Sequence, residues 1–223
     1  AFAKGHSASY AVESYQSLYL KCYYPLEYMV ATINNGGGFY NTETYIHEAR
    51  MKGATIEAPC INQSNIETII KNKTIYLGLQ HLDSLEKKSM IKIINARAFS
   101  SFKSFTDFIQ RVPLSIEQLD ILIRIDALRS LGKDKRSLLW EAYYKENNAP
   151  KIENQKQFFN ISMQDFKLPR FEITKLENAF DQLELLTYTL ETPYLLLECE
   201  LKNTICSNDL ENYLNKIINI YGY

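Results

Sequence analysis

Near the start of the chain, Ala8, Ala11, Val12, Tyr15, Leu18, Tyr19 and Cys22 recur at helical spacing, predicting a helix with one apolar stripe turned inward. Ser7 or Ser9 stands where such a helix takes its cap. Pro25 stops it and suits the first turn of a second helix, Pro25 to about Ile33. Asn34-Asn35-Gly36-Gly37-Gly38 then breaks the pattern. The triple glycine lacks the lysine and the serine or threonine of a P-loop, so it reads as a plain loop. Asn41 or Thr42 caps a third helix reaching about Lys52, with Gly53 just past its end and Tyr45, Ile46 and Ala49 on its buried face.

The middle of the chain changes period. Thr55-Ile56-Glu57-Ala58-Pro59 reads as a short extended segment, and Thr74 to Leu79, β-branched and aromatic, reads as a strand. Helical patterns follow over roughly Glu86 to Arg97, Ser104 to Arg111, Ser115 to Ala127 and Asp134 to Lys145. From Glu146 to Arg170 the chain is polar and aperiodic, a linker whose one strongly apolar point is Phe158-Phe159. Another helix is expected from Thr174 to Leu186. Lys216 to Tyr223 reads as a single strand with nothing in the chain to pair it. A lone terminal strand is a liability unless another sheet receives it, so the chain is expected to stop inside a domain.

Composition narrows the class. With 223 residues, 46% of them hydrophobic, the chain can bury one large core or two small ones. Apolar runs such as Tyr194-Leu195-Leu196-Leu197 are far too short to span a bilayer, and no signal peptide is evident. The four cysteines, Cys22, Cys60, Cys199 and Cys206, have no metal-type spacing and read as reduced thiols of a cytoplasmic protein. His47 and His81 also lack neighbours at ligand spacing. The net charge of −1 hides an asymmetry: Lys71 to Arg136 holds thirteen basic and seven acidic residues, a balance of +6, leaving −7 for the rest. That basic block is either a nucleic-acid surface or a solvated helical face.

Several motifs share one resemblance. Phe2-Ala3-Lys4-Gly5-His6-Ser7-Ala8-Ser9-Tyr10-Ala11, Tyr15-Gln16, Leu20-Lys21 and Tyr24-Pro25-Leu26-Glu27-Tyr28-Met29 resemble the fingers segment of bacterial C-family replicative polymerases, the DNA polymerase III alpha subunits. Glu48-Ala49-Arg50-Met51-Lys52-Gly53 with Ala58-Pro59-Cys60-Ile61-Asn62, then Ile75-Tyr76-Leu77-Gly78-Leu79, Ile94-Asn95-Ala96-Arg97, Phe102 to Phe108 and Ala127 to Gly132 follow in that family's order. The resemblance covers nearly the whole chain. Each motif is loose alone; their order and spacing make the match specific. It implies a fragment that begins in a fingers domain, crosses a tandem helix-hairpin-helix unit and ends on the first strand of an OB domain.

Two departures stand out. The family places a glycine-x-glycine turn between paired helices so that backbone N–H groups reach a DNA phosphate. Here the first hairpin reads Leu82-Asp83-Ser84-Leu85-Glu86, without glycine and with two carboxylates. The second reads Arg124-Ile125-Asp126-Ala127, with aspartate at the glycine position. A carboxylate beside a phosphate repels it, so the unit is expected to keep its fold but bind duplex DNA weakly, or through Lys87, Lys88, Lys133, Lys135 and Arg136. Gly5 also replaces a serine of the fingers motif.

The resemblance implies site residues. Lys4 and His6, expected immediately before the first helix, would contact the triphosphate of an incoming deoxynucleoside triphosphate; a helix N-terminus suits that charge. Tyr10 and Gln16 either face nucleotide or template, or pack. Lys21 meets a DNA phosphate or is solvated. Gln155-Lys156-Gln157-Phe158-Phe159 is similar to the family's clamp-binding pentapeptide, so Gln155, Phe158 and Phe159 would engage a β sliding clamp, the alternative being that the aromatics dock on their own domain. The palm carboxylates that hold Mg2+ in the intact polymerase are not in this sequence. The fragment is expected to carry no catalytic residue, metal or cofactor of its own and no polymerase activity.

The reading is a mainly α fold: fingers helices and a tandem helix-hairpin-helix unit with short β segments. Residues 1–65 form the end of a fingers domain, 66–145 the helix-hairpin-helix unit, 146–171 the linker, and 172–223 a connecting helix and the start of an OB domain. Primer-template DNA, nucleotide and clamp are the implied partners, with no membrane. The alternative is a stand-alone helical module binding nucleic acid or protein without catalysis. A repair enzyme is disfavoured because no catalytic carboxylate or lysine constellation sits near the hairpins.

Overall fold

In the computed structural model, residues 3–148, 173–198, 205 and 207–220 are described. Helix α1 (Lys4–Tyr23) is followed by α2 (Pro25–Asn34) and α3 (Thr42–Met51), then strands β1 (Thr55–Glu57), β2 (Ile69–Lys71) and β3 (Thr74–Tyr76). Helices α4 (Lys87–Phe99), α5 (Phe105–Arg111), α6 (Ile116–Arg124), α7 (Lys135–Asn148) and α8 (Lys175–Leu186) complete the regular structure, with short 3-10 turns between them. The fold is mainly helical, as the periodicity predicts.

Local chemistry sets most boundaries. Pro25 occupies the first turn of α2. Asn41 caps α3, its side chain accepting from the Thr44 N–H. At the other end Gly53 adopts φ 88°, Gly53 N–H donates to Arg50 O and Ala54 N–H to Ala49 O, a Schellman closure. Helix α8 opens on a full capping box, Thr174 with Glu177.

Helix α1 and the end of the chain differ from the sequence reading. Helix α1 begins at Lys4 with Ala3 as N-cap and no side-chain cap, so neither Ser7 nor Ser9 caps it; Ser9 Oγ donates back to Gly5 O instead. Its apolar stripe does not face inward: α1 has no buried residue, and Tyr15 and Leu18 are 71% and 67% exposed. The helix meets α2, and Lys21 pairs with Glu48 of α3, but among the described residues no second layer covers it. Residues 216–220 form no strand. Residues 221–223 of the expected strand lie outside the described residues.

The sheet is small and has order β1-β3-β2, with β1 parallel and β2 antiparallel to β3. A two-residue turn, Asn72-Lys73, joins β2 to β3, with Asn72 at φ 57°, a conformation asparagine tolerates. Ile56 aligns with Ile75 and Ile75 with Ile70, so strands on both sides of the expected boundary at residue 65 share one sheet. Gly78 follows β3 because nothing larger fits: an added Cβ would stand 2.3 Å from Ile66 O and 2.6 Å from Thr68 N.

The main core joins Ile46 and Ile61 to Leu77, Leu79, Ile93, Phe105, Phe108, Leu122, Ile123, Leu128 and the α8 residues Leu185 and Leu186. A smaller cluster of Leu26, Met29, Val30, Ala49, Ala54 and Ile75 holds α2 and α3 on the sheet. The first three helices are therefore anchored to the hairpin unit through β3.

Candidate nucleic-acid interface

Two hairpins carry the candidate site. The first runs from the 3-10 turn Leu79–His81 through Leu82 to Glu86 and into α4. Ser84 at its centre has φ 60°. The second lies between α6 and the 3-10 turn Arg129–Leu131, with Asp126 at φ 61°. Both positions hold the left-handed backbone that favours glycine, so the turn geometry survives without the glycines. At Asp126 burial pushes the carboxyl upward, opposed by Arg129 and Lys135.

The first hairpin is braced from α6. Buried Gln118 accepts from Glu86 N–H at 2.8 Å and donates to Ser84 O at 2.9 Å. The sequence reading missed this residue; a lone glutamine inside an apolar helix period (Gln118 beside Leu119, Ile121 and Leu122) was the available signal. Beneath the hairpin, His81 Nε2 lies 2.9 Å from the Thr68 hydroxyl, which also accepts from Gly78 N–H. Burial holds the His81 ring below its ordinary pKa.

Helix α4 starts at this hairpin and leaves its first-turn N–H groups pointing out of the helix end. No acidic residue occupies that turn; Lys87 and Lys88 do, both exposed. Two cations at a helix N-terminus oppose the macrodipole and gain only if an anion joins them. Among the described residues neither lysine has an ion-pair partner.

Most of the remaining basic block is used internally. Arg97 donates to Ile61 O and Ser64 O, Arg111 to Asp107 and Ser100 O, and Arg129 to Pro59 O, Ala58 O and Glu57. Lys133 pairs with Glu141 at 2.6 Å. Lys135 is buried and pairs with Asp181 of α8; Arg136 pairs with Glu177 of α8. Lys21 is likewise held by Glu48 at 2.7 Å, which raises its pKa. Of the six lysines and arginines read as DNA contacts, Lys87 and Lys88 stand free of such pairs, and the other four are paired.

The nucleotide candidates lie on α1. Lys4 and His6 sit inside its first turn rather than before it, and residues two apart do not share a helix face. The His6 ring packs edge-on to Tyr10 at 4.4 Å between centroids. Gln16 lies twelve residues, about 18 Å, along the same helix from Lys4, so α1 does not gather all four around one point. Gln155, Phe158 and Phe159 lie outside the described residues. The triple-glycine loop is tied to the protein itself, Gly38 N–H donating to Tyr45 Oη at 2.9 Å. Among the described residues no group of three or more His, Cys, Asp or Glu stands together to hold a metal, and no helix is long and apolar enough to cross a membrane.

Comparisons with known proteins agree with this geometry. Residues 53–138 match the family described as helix-hairpin-helix motif, a span that takes in the sheet and both hairpins. The chain is 31% identical over 142 residues to an error-prone DNA polymerase of Corynebacterium diphtheriae, covering 63% of this chain and 13% of the relative. It is 28% identical over 173 residues to an error-prone DNA polymerase of Methylococcus capsulatus, covering 67% of this chain and 16% of the relative. A DNA polymerase III subunit alpha of Saccharopolyspora erythraea is 32% identical over 143 residues, with 62% and 12% covered. These similarities support the resemblance to C-family polymerases and divide between error-prone DNA polymerases and a DNA polymerase III subunit alpha. The chain spans under a fifth of the length of each relative.

Proposed function

We propose that this chain is a DNA-contacting portion of a C-family DNA polymerase, and that its first hairpin takes a backbone phosphate. The observation that carries this reading is the start of α4. Its outward N–H groups, exposed Lys87 and Lys88, and the left-handed turn held by Gln118 form a small cationic ledge. The match to the helix-hairpin-helix family supports it. Asp83 and Glu86 flank the ledge and weaken it, so the contact positions DNA rather than gripping it.

In the whole protein the role is template-directed DNA synthesis in the cytoplasm, with palm carboxylates and Mg2+ supplied elsewhere. The names of the relatives favour an error-prone enzyme over the main replicative one. Lys4 and His6 would meet the triphosphate of the incoming nucleotide, with Tyr10 and Gln16 further along α1 facing nucleotide or template. Gln155, Phe158 and Phe159 would tether a β sliding clamp. On this reading the chain alone extends no primer.

Titration of the 223-residue chain with a short duplex at several salt concentrations tests the proposal. Log affinity should fall linearly with log salt. Binding that ignores salt would contradict a phosphate contact and favour a protein-interaction module. For the tether, replacing Phe158 and Phe159 together with alanine should abolish clamp binding; unchanged affinity would remove that part.

A further inference from the structure

Helix α8 lies against the second hairpin with Asp181 turned to its cations, while Leu185 and Leu186 join the main core. Asp181 accepts from Arg124 Nε at 2.8 Å and also pairs with Lys135. Glu184 takes the other edge of the Arg124 guanidinium, Nη1 at 3.1 Å, and Glu177 takes Arg136. These partners hold Arg124 firmly protonated. At its far end α8 also reaches the first hairpin, where Asp83 N–H donates to Leu185 O at 2.8 Å.

The apolar side of α8 is only partly used. Ala179, Leu185 and Leu186 are buried, whereas Leu176, Phe180 and Leu183, at i, i+4 and i+7, are exposed. Here carboxylates face the cations that a helix-hairpin-helix unit would turn to a DNA backbone.

We propose that α8 is an autoinhibitory acidic strap: Glu184 and Glu177 occupy Arg124 and Arg136 in place of DNA phosphates, so the second hairpin binds DNA fully only when these two pairs open, while Leu185 and Leu186 keep the helix in the core. This rests on the reading of the unit as a DNA-binding one. Both ligands present anionic oxygens to the same guanidinium and ammonium groups, so they compete directly. Of the four pairs, those of Glu184 and Glu177 are exposed enough to exchange, at 64% and 46%. The two made by Asp181 are not, since Asp181 is 17% and Lys135 7% exposed. Neutralising Asp181 would strand that lysine and risk the fold, so Asp181 is left intact.

The test is a Glu177→Gln, Glu184→Gln double variant of the full chain, titrated with a short DNA duplex over a range of salt. A Glu67→Gln, Glu211→Gln variant of equal net charge controls for general electrostatics; both of those residues are exposed. The strap predicts binding about tenfold tighter than the control at low salt, with a salt slope steeper by about one to two as cations are freed. If both variants bind alike, the strap is overturned while the DNA-binding reading stands. If no variant binds duplex at any salt, the DNA-binding reading falls and takes the strap with it.

Discussion

Ser84 and Asp126 hold the same left-handed backbone, φ 60° and 61°, one at the centre of each hairpin. The turn that glycine would favour is therefore imposed on two residues that resist it. A non-glycine residue in this region stores on the order of 1 kcal/mol, which the surrounding structure must hold. Ser84→Gly should relieve it and raise stability by about 0.5–1 kcal/mol, read as a higher urea midpoint with an unchanged slope. A lower midpoint would show that the Ser84 side chain contributes more than its backbone costs.

Gln118 is the brace that keeps the first hairpin in that shape, bonding Glu86 N–H and Ser84 O from one side chain. Gln118→Leu fills similar volume but removes both bonds. It should cost about 2 kcal/mol, with the loss of hydrogen-exchange protection centred on 84–90. A loss spread evenly over the molecule would point to general core damage instead.

Gly78 has no room for a side chain beside the 66–68 backbone. Gly78→Ala must push that backbone away, at a cost of about 3 kcal/mol. A thermal melt within a degree of wild type would contradict the close approach.

His81 makes stability depend on pH in a stated direction. Burial lowers its folded pKa below the ordinary value of 6.5. The unfolded chain then binds the proton more tightly, so stability is full above about 6.5 and falls as pH drops below it. Several carboxylates whose pKa values are lowered, such as Glu184, add to the loss at more acidic pH. His81→Gln should flatten the part of the stability curve just below pH 6.5. An unchanged curve would place the dependence on the carboxylates alone.

The sequence made the helices legible where local signals were strong. The Thr174-x-x-Glu177 box, Pro25 and the Asn41 cap place α8, α2 and α3 within a residue or so of where they lie. Helix α6 was read through to Ala127 but ends at Arg124, because the left-handed Asp126 breaks a period that still looks apolar. Strand β2 was missed: three residues carry too little pattern, and the Asn72-Lys73 turn lacks the glycine that flags a hairpin. The inward stripe of α1 was misread because periodicity shows amphipathicity, not whether a partner exists to bury it. Of the five cations chosen from the basic block, three meet acids: Lys133 meets Glu141 eight residues on, and Lys135 and Arg136 meet Asp181 and Glu177 of α8. The pairs of Arg124 with Glu184 and Lys135 with Asp181 span 60 and 46 residues, which no local pattern reveals.

The most direct test of the phosphate ledge is a Lys87→Gln, Lys88→Gln variant, compared with wild type for duplex affinity across a salt series. Both side chains are exposed and, among the described residues, without an ion-pair partner, so the fold should survive. The account predicts weaker binding to every duplex sequence alike and a salt slope shallower by about two. Affinity and slope equal to wild type would contradict it and move the DNA contact away from the first hairpin.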